Sequence, residues 1–134
     1  MLGHLRFGSL ILMLALIPGC GVQSVAGGTK GILRFDGQLL TDIRVEIYQV
    51  DGGSLRPIGF GVTTTDGSFQ LVTNGAQGAL WLAPGEYRCT LESVGPPIQV
   101  AKEYTRAETT PLVVHWTAGD QQLDLEVPTP SSSG

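Results

Sequence analysis

Apolar and polar side chains alternate in several short runs after residue 30. In the clearest run, Ile43–Tyr48, every second side chain is a β-branched aliphatic one. Because successive side chains of a strand point to opposite faces, this period of two predicts strands with one face on a core. The same alternation occurs in Lys30–Phe35, Tyr87–Leu91, Leu112–Trp116 and Leu123–Val127. After residue 30 no stretch carries the long 3.6-residue apolar stripe of a helix, so the pattern predicts an all-β domain.

The strongest turn signal lies within Val62–Leu71. Four β-forming residues lead to Asp66-Gly67, and Phe69 and Leu71 then alternate with polar side chains. An Asp-Gly pair between two such runs favours a β-hairpin, because its turn needs positive φ angles and glycine adopts them at little cost. The pattern therefore predicts a central hairpin that directs Phe69 and Leu71 towards the core.

The predicted strands number seven or eight within residues 30–127. Their number and spacing are typical of an immunoglobulin-like β-sandwich, although the Cys…Trp…Cys pattern of true immunoglobulin domains is absent. Val94–Thr110 is expected to be irregular because Pro96-Pro97 prevents strand pairing, with room for one helical turn after residue 101. Residues 128–134 form a polar tail that is expected to be disordered. Alternation places these residues in the core: Ile43, Val45, Ile47, Phe69, Leu71, Cys89 and Leu125.

Residues 1–19 have the features of a secretory signal peptide. Residues 10–17 are an uncharged apolar run, too short to span a bilayer as a helix, which needs about 20 residues. The four residues that end at Cys20, IPGC, resemble a bacterial lipobox, in which the cysteine is lipidated and the leader is removed. We therefore expect a signal-peptide helix over residues 1–19, a lipid anchor on Cys20 and a flexible tether over residues 20–29. The alternative is an ordinary signal peptide followed by an incidental cysteine.

The leader predicts export, with the domain anchored to a bacterial envelope membrane on its periplasmic or cell-surface side. Its removal leaves seven basic and twelve acidic side chains. An acidic chain without a basic patch is not expected to bind nucleic acid. If Cys20 carries lipid, Cys89 is the one remaining cysteine, and no disulfide is available to hold the fold. Its position on one strand face with Tyr87 and Leu91 predicts a buried thiol rather than a reactive nucleophile.

Several turn and strand motifs occur in an order that resembles a known family. They are Gly31-x-Leu33-x-Phe35-Asp36-Gly37-x-x-Leu40, Val45-x-Ile47, Thr65-Asp66-Gly67-x-Phe69-x-Leu71, Pro84-Gly85-Glu86-Tyr87 and Ala118-Gly119-Asp120-x-x-Leu123-x-Leu125. Together they look like a carboxypeptidase regulatory-like domain, and the closing stretch is similar to the version found in small lipoproteins of planctomycete bacteria. The resemblance implies a transthyretin-like, prealbumin-type β-sandwich and an envelope location, and it implies no assigned activity.

The residues give little support for catalysis or metal binding. After the leader there is one histidine, His115, which alternation places on the strand face opposite Leu112 and Trp116. One histidine and one spare cysteine do not make a tetrahedral zinc set, and no nucleophile-elbow motif is present. Asp66-Gly67 is expected to be a plain turn rather than a calcium loop, which needs several oxygen ligands. We therefore expect no enzyme activity, no metal and no cofactor.

Two hypotheses of function follow. The first is a non-enzymatic, lipid-anchored envelope domain with a structural role or a role in contacting envelope proteins. The second is a module that binds cell-surface carbohydrate or peptide through an exposed aromatic platform made of Tyr48, Trp81 and Tyr104, or through a sheet edge. The alternative for the last two rings is that Trp81 caps an open end of the sandwich and Tyr104 holds the long loop in place. Tyr87 is expected to pack in the core with its hydroxyl bonded to nearby backbone.

Overall fold

The computed structural model describes residues 27–95 and 98–128, and these residues form two β-sheets that share one hydrophobic core. The prediction of an all-β sandwich is confirmed at this level. Nine strands lie in the described ranges, against seven or eight expected, because two of them have only two residues each. The strands are β1 (Lys30–Phe35), β2 (Gln38–Leu39), β3 (Ile43–Asp51), β4 (Ser54–Val62), β5 (Ser68–Gln70), β6 (Val72–Thr73), β7 (Gly85–Ser93), β8 (Val113–Trp116) and β9 (Gln122–Val127), with a 3₁₀ turn at Lys102–Thr105.

The first sheet is built on both sides of β1. Its last strand in sequence, β9, pairs with β1 in parallel from Lys30 opposite Gln122 to Phe35 opposite Val127. On the other side, β5 pairs with the first half of β1 and β2 with its end. Because β1 and β9 run the same way, the chain enters and leaves this sheet at opposite ends.

The second sheet is antiparallel and has the strand order β6-β4-β3-β7-β8. Its central strand, β3, is joined to β4 by Gly52-Gly53, whose φ angles are 55° and 89°. Two positive φ angles match the twist of a two-residue hairpin turn. The pairing of β3 with β4 shifts register between Ile47 and Tyr48, and Pro57 lies at this bulge, where a missing N–H is tolerated. Pro57 therefore sits inside a continuous strand.

The predicted hairpin around Asp66-Gly67 is wrong for the residues that flank the turn. β4 belongs to the second sheet, whereas Ser68–Gln70 pairs with β1 in the first sheet. Only Val72–Thr73, beyond the turn, returns to pair with β4. The turn thus carries the chain from one sheet to the other. The prediction that Phe69 and Leu71 point towards the core is still correct.

The core contains all the residues that alternation placed there. Each of these seven side chains is at most 3% exposed: Ile43, Val45, Ile47, Phe69, Leu71, Cys89 and Leu125. Buried side chains of both sheets belong to one cluster, which also includes Tyr104 from the 3₁₀ turn. The core therefore lies between the sheets and is closed on one side by the segment that follows residue 97.

The predicted tether over residues 20–29 is too long at its end. Thr29 is 4% exposed, its N–H donates to the Leu80 carbonyl oxygen at 2.8 Å, and its own carbonyl accepts from the Leu71 N–H at 2.9 Å. The Gly27 N–H also donates to the Gln70 side chain at 3.0 Å. The ordered domain therefore begins before Lys30. The predicted leader, Cys20 and residues 129–134 of the predicted tail lie outside the described residues.

Candidate functional site

The three rings of the predicted aromatic platform do not share one exposed surface. Tyr104 is 6% exposed and belongs to the core cluster, so it cannot present its ring to a ligand. Tyr48 is half-buried on the outer face of the second sheet, where burial raises the pKa of its hydroxyl. Trp81 is 70% exposed and lies beside Gly27. The platform as predicted is therefore wrong for Tyr104, and Trp81 remains as the one strongly exposed ring of the three.

Tyr87 makes the contact that its sequence position predicted. Its ring is 2% exposed, and its hydroxyl donates to the carbonyl oxygen of Ala83, four residues upstream, at 2.6 Å. Burial raises the pKa of this hydroxyl. The bond holds the start of β7 against the loop that precedes it, so Tyr87 has a structural role.

Cys89 and His115 lie on opposite faces of the second sheet. The thiol of Cys89 is fully buried, and desolvation raises its pKa to about 12. His115 is exposed on β8 and pairs with Glu86 across the ladder. A thiol that is neutral and buried at neutral pH is a poor nucleophile. The two groups cannot act as a pair, because the sheet itself separates them.

Asp66 accepts hydrogen bonds that build a turn. Its Oδ1 accepts from the Thr64 hydroxyl at 2.6 Å and from the Ser68 N–H at 3.0 Å, and the Ser68 hydroxyl donates to the same oxygen. These bonds lower the pKa of Asp66 to about 2, with the Ser68 side chain as the largest cause. Within residues 27–95 and 98–128, no three His, Cys, Asp or Glu side chains come together in a way that could hold a metal ion.

A groove of about 460 Å³ opens at the end of the sandwich where β1 and β9 finish. We call it the distal groove, because it lies at the opposite end of β1 from the point where the chain enters. Its walls are mainly apolar, and two carboxylates, Asp36 and Glu103, lie among its lining residues. The apolar lining residues are Phe35, Leu40, Ile98, Ala101, Tyr104, Val127 and Pro128, and Gln38 and Gln99 add two amides.

Little in the amino-acid sequence indicates the distal groove. Phe35 and Leu40 flank the first turn, and Ile98 lies in a segment predicted to be irregular. These side chains become neighbours only when the segment after residue 97 folds back over the ends of β1 and β9. The one available signal was the apolar pair Ile98 and Val100 inside a proline-containing stretch, which indicates that part of the stretch packs on the domain.

The segment that forms one wall of the distal groove is fixed to β7. The Thr110 hydroxyl donates to the Cys89 carbonyl oxygen at 2.7 Å and accepts from the Leu112 N–H at 3.2 Å. Arg88 donates to the Ala107 carbonyl oxygen at 3.3 Å. These bonds attach the segment to the strand edge that β8 leaves free. The predicted helical turn is present in this segment as the 3₁₀ turn Lys102–Thr105.

No protein-family model, curated protein or solved structure matches this chain. Cys20 lies outside the described residues, so the structure places no group around it. Among the residues that are described, no helix is both long and apolar enough to cross a membrane. What the structure establishes is a two-sheet β fold whose ends differ: one receives the chain beside Trp81, and the other carries the distal groove.

Proposed function

We propose that the chain is a non-enzymatic, lipid-anchored domain of a bacterial envelope, and that it contacts another envelope protein through the distal groove. We also assign its sandwich to the transthyretin-like type that the resemblance to carboxypeptidase regulatory-like domains implies. The observation that carries the functional proposal is the polarity of the domain. The chain enters beside Thr29, and the distal groove lies at the far end of β1, next to Phe35.

This polarity directs the distal groove away from an anchored surface. β1 has six residues, which corresponds to about 20 Å of strand. An anchor on Cys20 would hold the entry end near the membrane, because residues 21–26 can span at most about 25 Å before Gly27. The opposite end then faces the surrounding envelope, where a protein partner can reach it.

The distal groove has the composition of a contact surface. Apolar side chains that stay accessible in a concave site are typical of places where a partner or ligand packs. The carboxylates of Asp36 and Glu103 favour a partner with a positive charge beside an apolar side chain. The buried thiol of Cys89 and the exposed ring of His115 on the other sheet face fit a binding role better than a catalytic one.

The anchor is tested by fractionating cells that express the full chain, Cys20→Ser or Cys89→Ser. Cys89→Ser is the matched control because it changes the only other cysteine. We expect the wild type and the control in the membrane fraction with incorporated fatty acid, and Cys20→Ser without lipid. Membrane-bound and lipid-free wild-type protein would refute the anchor.

The distal groove is tested with a photo-crosslinking residue placed at Gln99, which lines it, or at the exposed Ser54, which follows the β3–β4 turn at the other end. On intact cells we expect one discrete protein adduct from position 99 that position 54 does not give. The adduct should disappear when Leu40→Asp introduces a charge into the apolar wall. Equal crosslinking from both positions, or an adduct that persists in Leu40→Asp, would refute contact through the groove.

A further inference from the structure

An uncharged loop lies where the chain enters the domain. Its residues 79–84, ALWLAP, contain no polar side chain other than the indole N–H of Trp81. Trp81 is 70% exposed, and Ala83 and Pro84 are exposed as well. A methyl group built on Gly27 would lie 3.9 Å from the Trp81 ring, so the ring and the chain entry are neighbours.

Hydrogen bonds on both sides of Trp81 fix this loop to the chain entry. The Thr29 N–H donates to the Leu80 carbonyl oxygen at 2.8 Å, and the Leu82 N–H donates to the Thr29 hydroxyl at 2.9 Å. Leu80 and Leu82 also pack against the core cluster. Trp81 is therefore held outward by its neighbours, and its position relative to Gly27 is set by backbone contacts.

We propose that Trp81 and its loop form a second membrane contact, in which the indole ring enters the interfacial region of the bilayer that holds the anchor. This inference rests on the proposed lipid anchor at Cys20. Six residues separate Cys20 from Gly27, and a chain of this length can span at most about 25 Å. The loop is the part of the described domain that such a short connection brings to the lipid surface.

The chemistry of the loop fits the lipid interface. Tryptophan is enriched at membrane–water interfaces, where its ring packs among apolar groups while its N–H stays hydrated. The acidic mature chain has no electrostatic attraction to anionic lipids, so this contact depends on apolar burial. If half of the exposed ring surface leaves water, the ratio of docked to undocked domain rises roughly 10- to 40-fold.

The test uses the full chain as isolated from expressing cells and reconstituted into phosphatidylcholine vesicles, with or without bromine on the acyl chains as a quencher. Trp116→Phe makes Trp81 the sole indole, since the chain has two tryptophans. We expect brominated lipid to quench Trp81 and its emission to shift to shorter wavelength. Because Trp116 is only 9% exposed and its replacement alters the core, the same quantity is also measured as wild type minus Trp81→Phe.

A matched control separates specific docking from mere proximity to the membrane. Val113 is 43% exposed and pairs with Arg88, at the end of β8 that is farther from the loop. Val113→Trp, made together with Trp81→Phe and Trp116→Phe, reports quenching at a surface position that we do not expect to touch lipid. Equal quenching of this control and of Trp81 would overturn the proposal.

Other outcomes identify which proposal fails. If the wild-type chain does not float with the vesicles, the lipid anchor itself is wrong. If it floats but Trp81 is unquenched, the anchor stands and the second contact is refuted. If Trp81 emission instead responds to soluble wall fragments, or to chain concentration in the absence of vesicles, the loop binds carbohydrate or a second copy, and the membrane assignment is overturned.

Discussion

The Phe69 ring packs directly against the backbone of glycine residues. We therefore expect that one added methyl group at such a glycine lowers the stability of the domain strongly. A Cβ on Gly31 would collide with the Phe69 ring at a closer approach than real Cβ atoms show. The ring is 2% exposed and cannot retreat freely, because a Cβ on Gly61 would lie 2.9 Å from its other edge. Gly31 is held in place as well, since β1 pairs there with both β5 and β9.

We therefore expect Gly31→Ala to destabilise the domain by about 1–3 kcal/mol, the usual cost of overpacking. For a domain of this size each kcal/mol lowers Tm by roughly 4–8 °C. Urea unfolding followed by circular dichroism measures the change. Gly119→Ala is the matched control, because nothing lies within 4 Å of its added Cβ, and we expect it to stay within about 0.5 kcal/mol of wild type.

A double-mutant cycle tests the stated cause. Phe69→Leu removes the ring atoms that the new methyl group would meet, so it should relieve part of the strain in Gly31→Ala. The coupling between the two changes is expected at about 0.5–3 kcal/mol in the stabilising direction. Additive losses, or a cost for Gly31→Ala no larger than that of Gly119→Ala, would show that this contact does not limit the packing.

Three further predictions concern single side chains. In a Cys20→Ser background, Cys89 should resist a thiol reagent at pH 8 until the domain unfolds, because its pKa is about 12; rapid labelling of folded protein would contradict its burial. Hydrogen bonds lower the pKa of Asp66 from 3.8 to about 2 in the folded domain, so the stability lost in Asp66→Ala should be largest above about pH 4 and shrink as the pH falls through about 2; a loss that does not change with pH in unfolding curves would show that the hydrogen bonds do not favour the carboxylate. Tyr87→Phe should cost about 0.5–1.5 kcal/mol through loss of its bond to Ala83, and an unchanged urea midpoint would argue against that bond.

Strand faces were predictable because one side of each strand is buried. In β3 the three alternate aliphatic residues from Ile43 to Ile47 have no exposed surface, and a slip of one residue would have placed them all in water. Tyr87 was predictable for a similar reason, since a ring on a buried face needs a partner for its hydroxyl. These features depend on local sequence and on burial alone.

The location of the hairpins was harder to predict, because an Asp-Gly pair does not specify which strand its flanks will join. At Gly52-Gly53 both central residues have positive φ and the flanks pair as β3 and β4. At Asp66-Gly67 only the glycine has a positive φ, and the Asp66 side chain closes the turn by accepting a hydrogen bond from the Ser68 N–H. Ser68–Gln70 then pairs with β1, which is distant in sequence. No local pattern predicts this pairing.

The candidate site depended on the same kind of distant contact. Tyr104 is flanked by polar residues in sequence, which suggested an exposed loop ring, yet the bonds of Thr110 to β7 bring its segment onto the core. Trp81 has apolar neighbours in sequence, which suggested packing, yet those neighbours fill the core positions and hold the ring outward. In both cases the exposure of the aromatic side chain depends on the hydrogen bonds and core packing of the residues next to it in sequence.

The parallel pairing of β1 with β9 is what gives the domain two different ends. An antiparallel last strand would return the chain to the end where it entered and place Val127 beside Lys30. Instead Val127 lies opposite Phe35, and the Asp36 N–H donates to its carbonyl oxygen at 2.8 Å. The final strand therefore helps to build the distal groove, while the entry end is left to the loop around Trp81. The two proposed contacts, one with the membrane and one with a protein, would therefore use different surfaces of the domain.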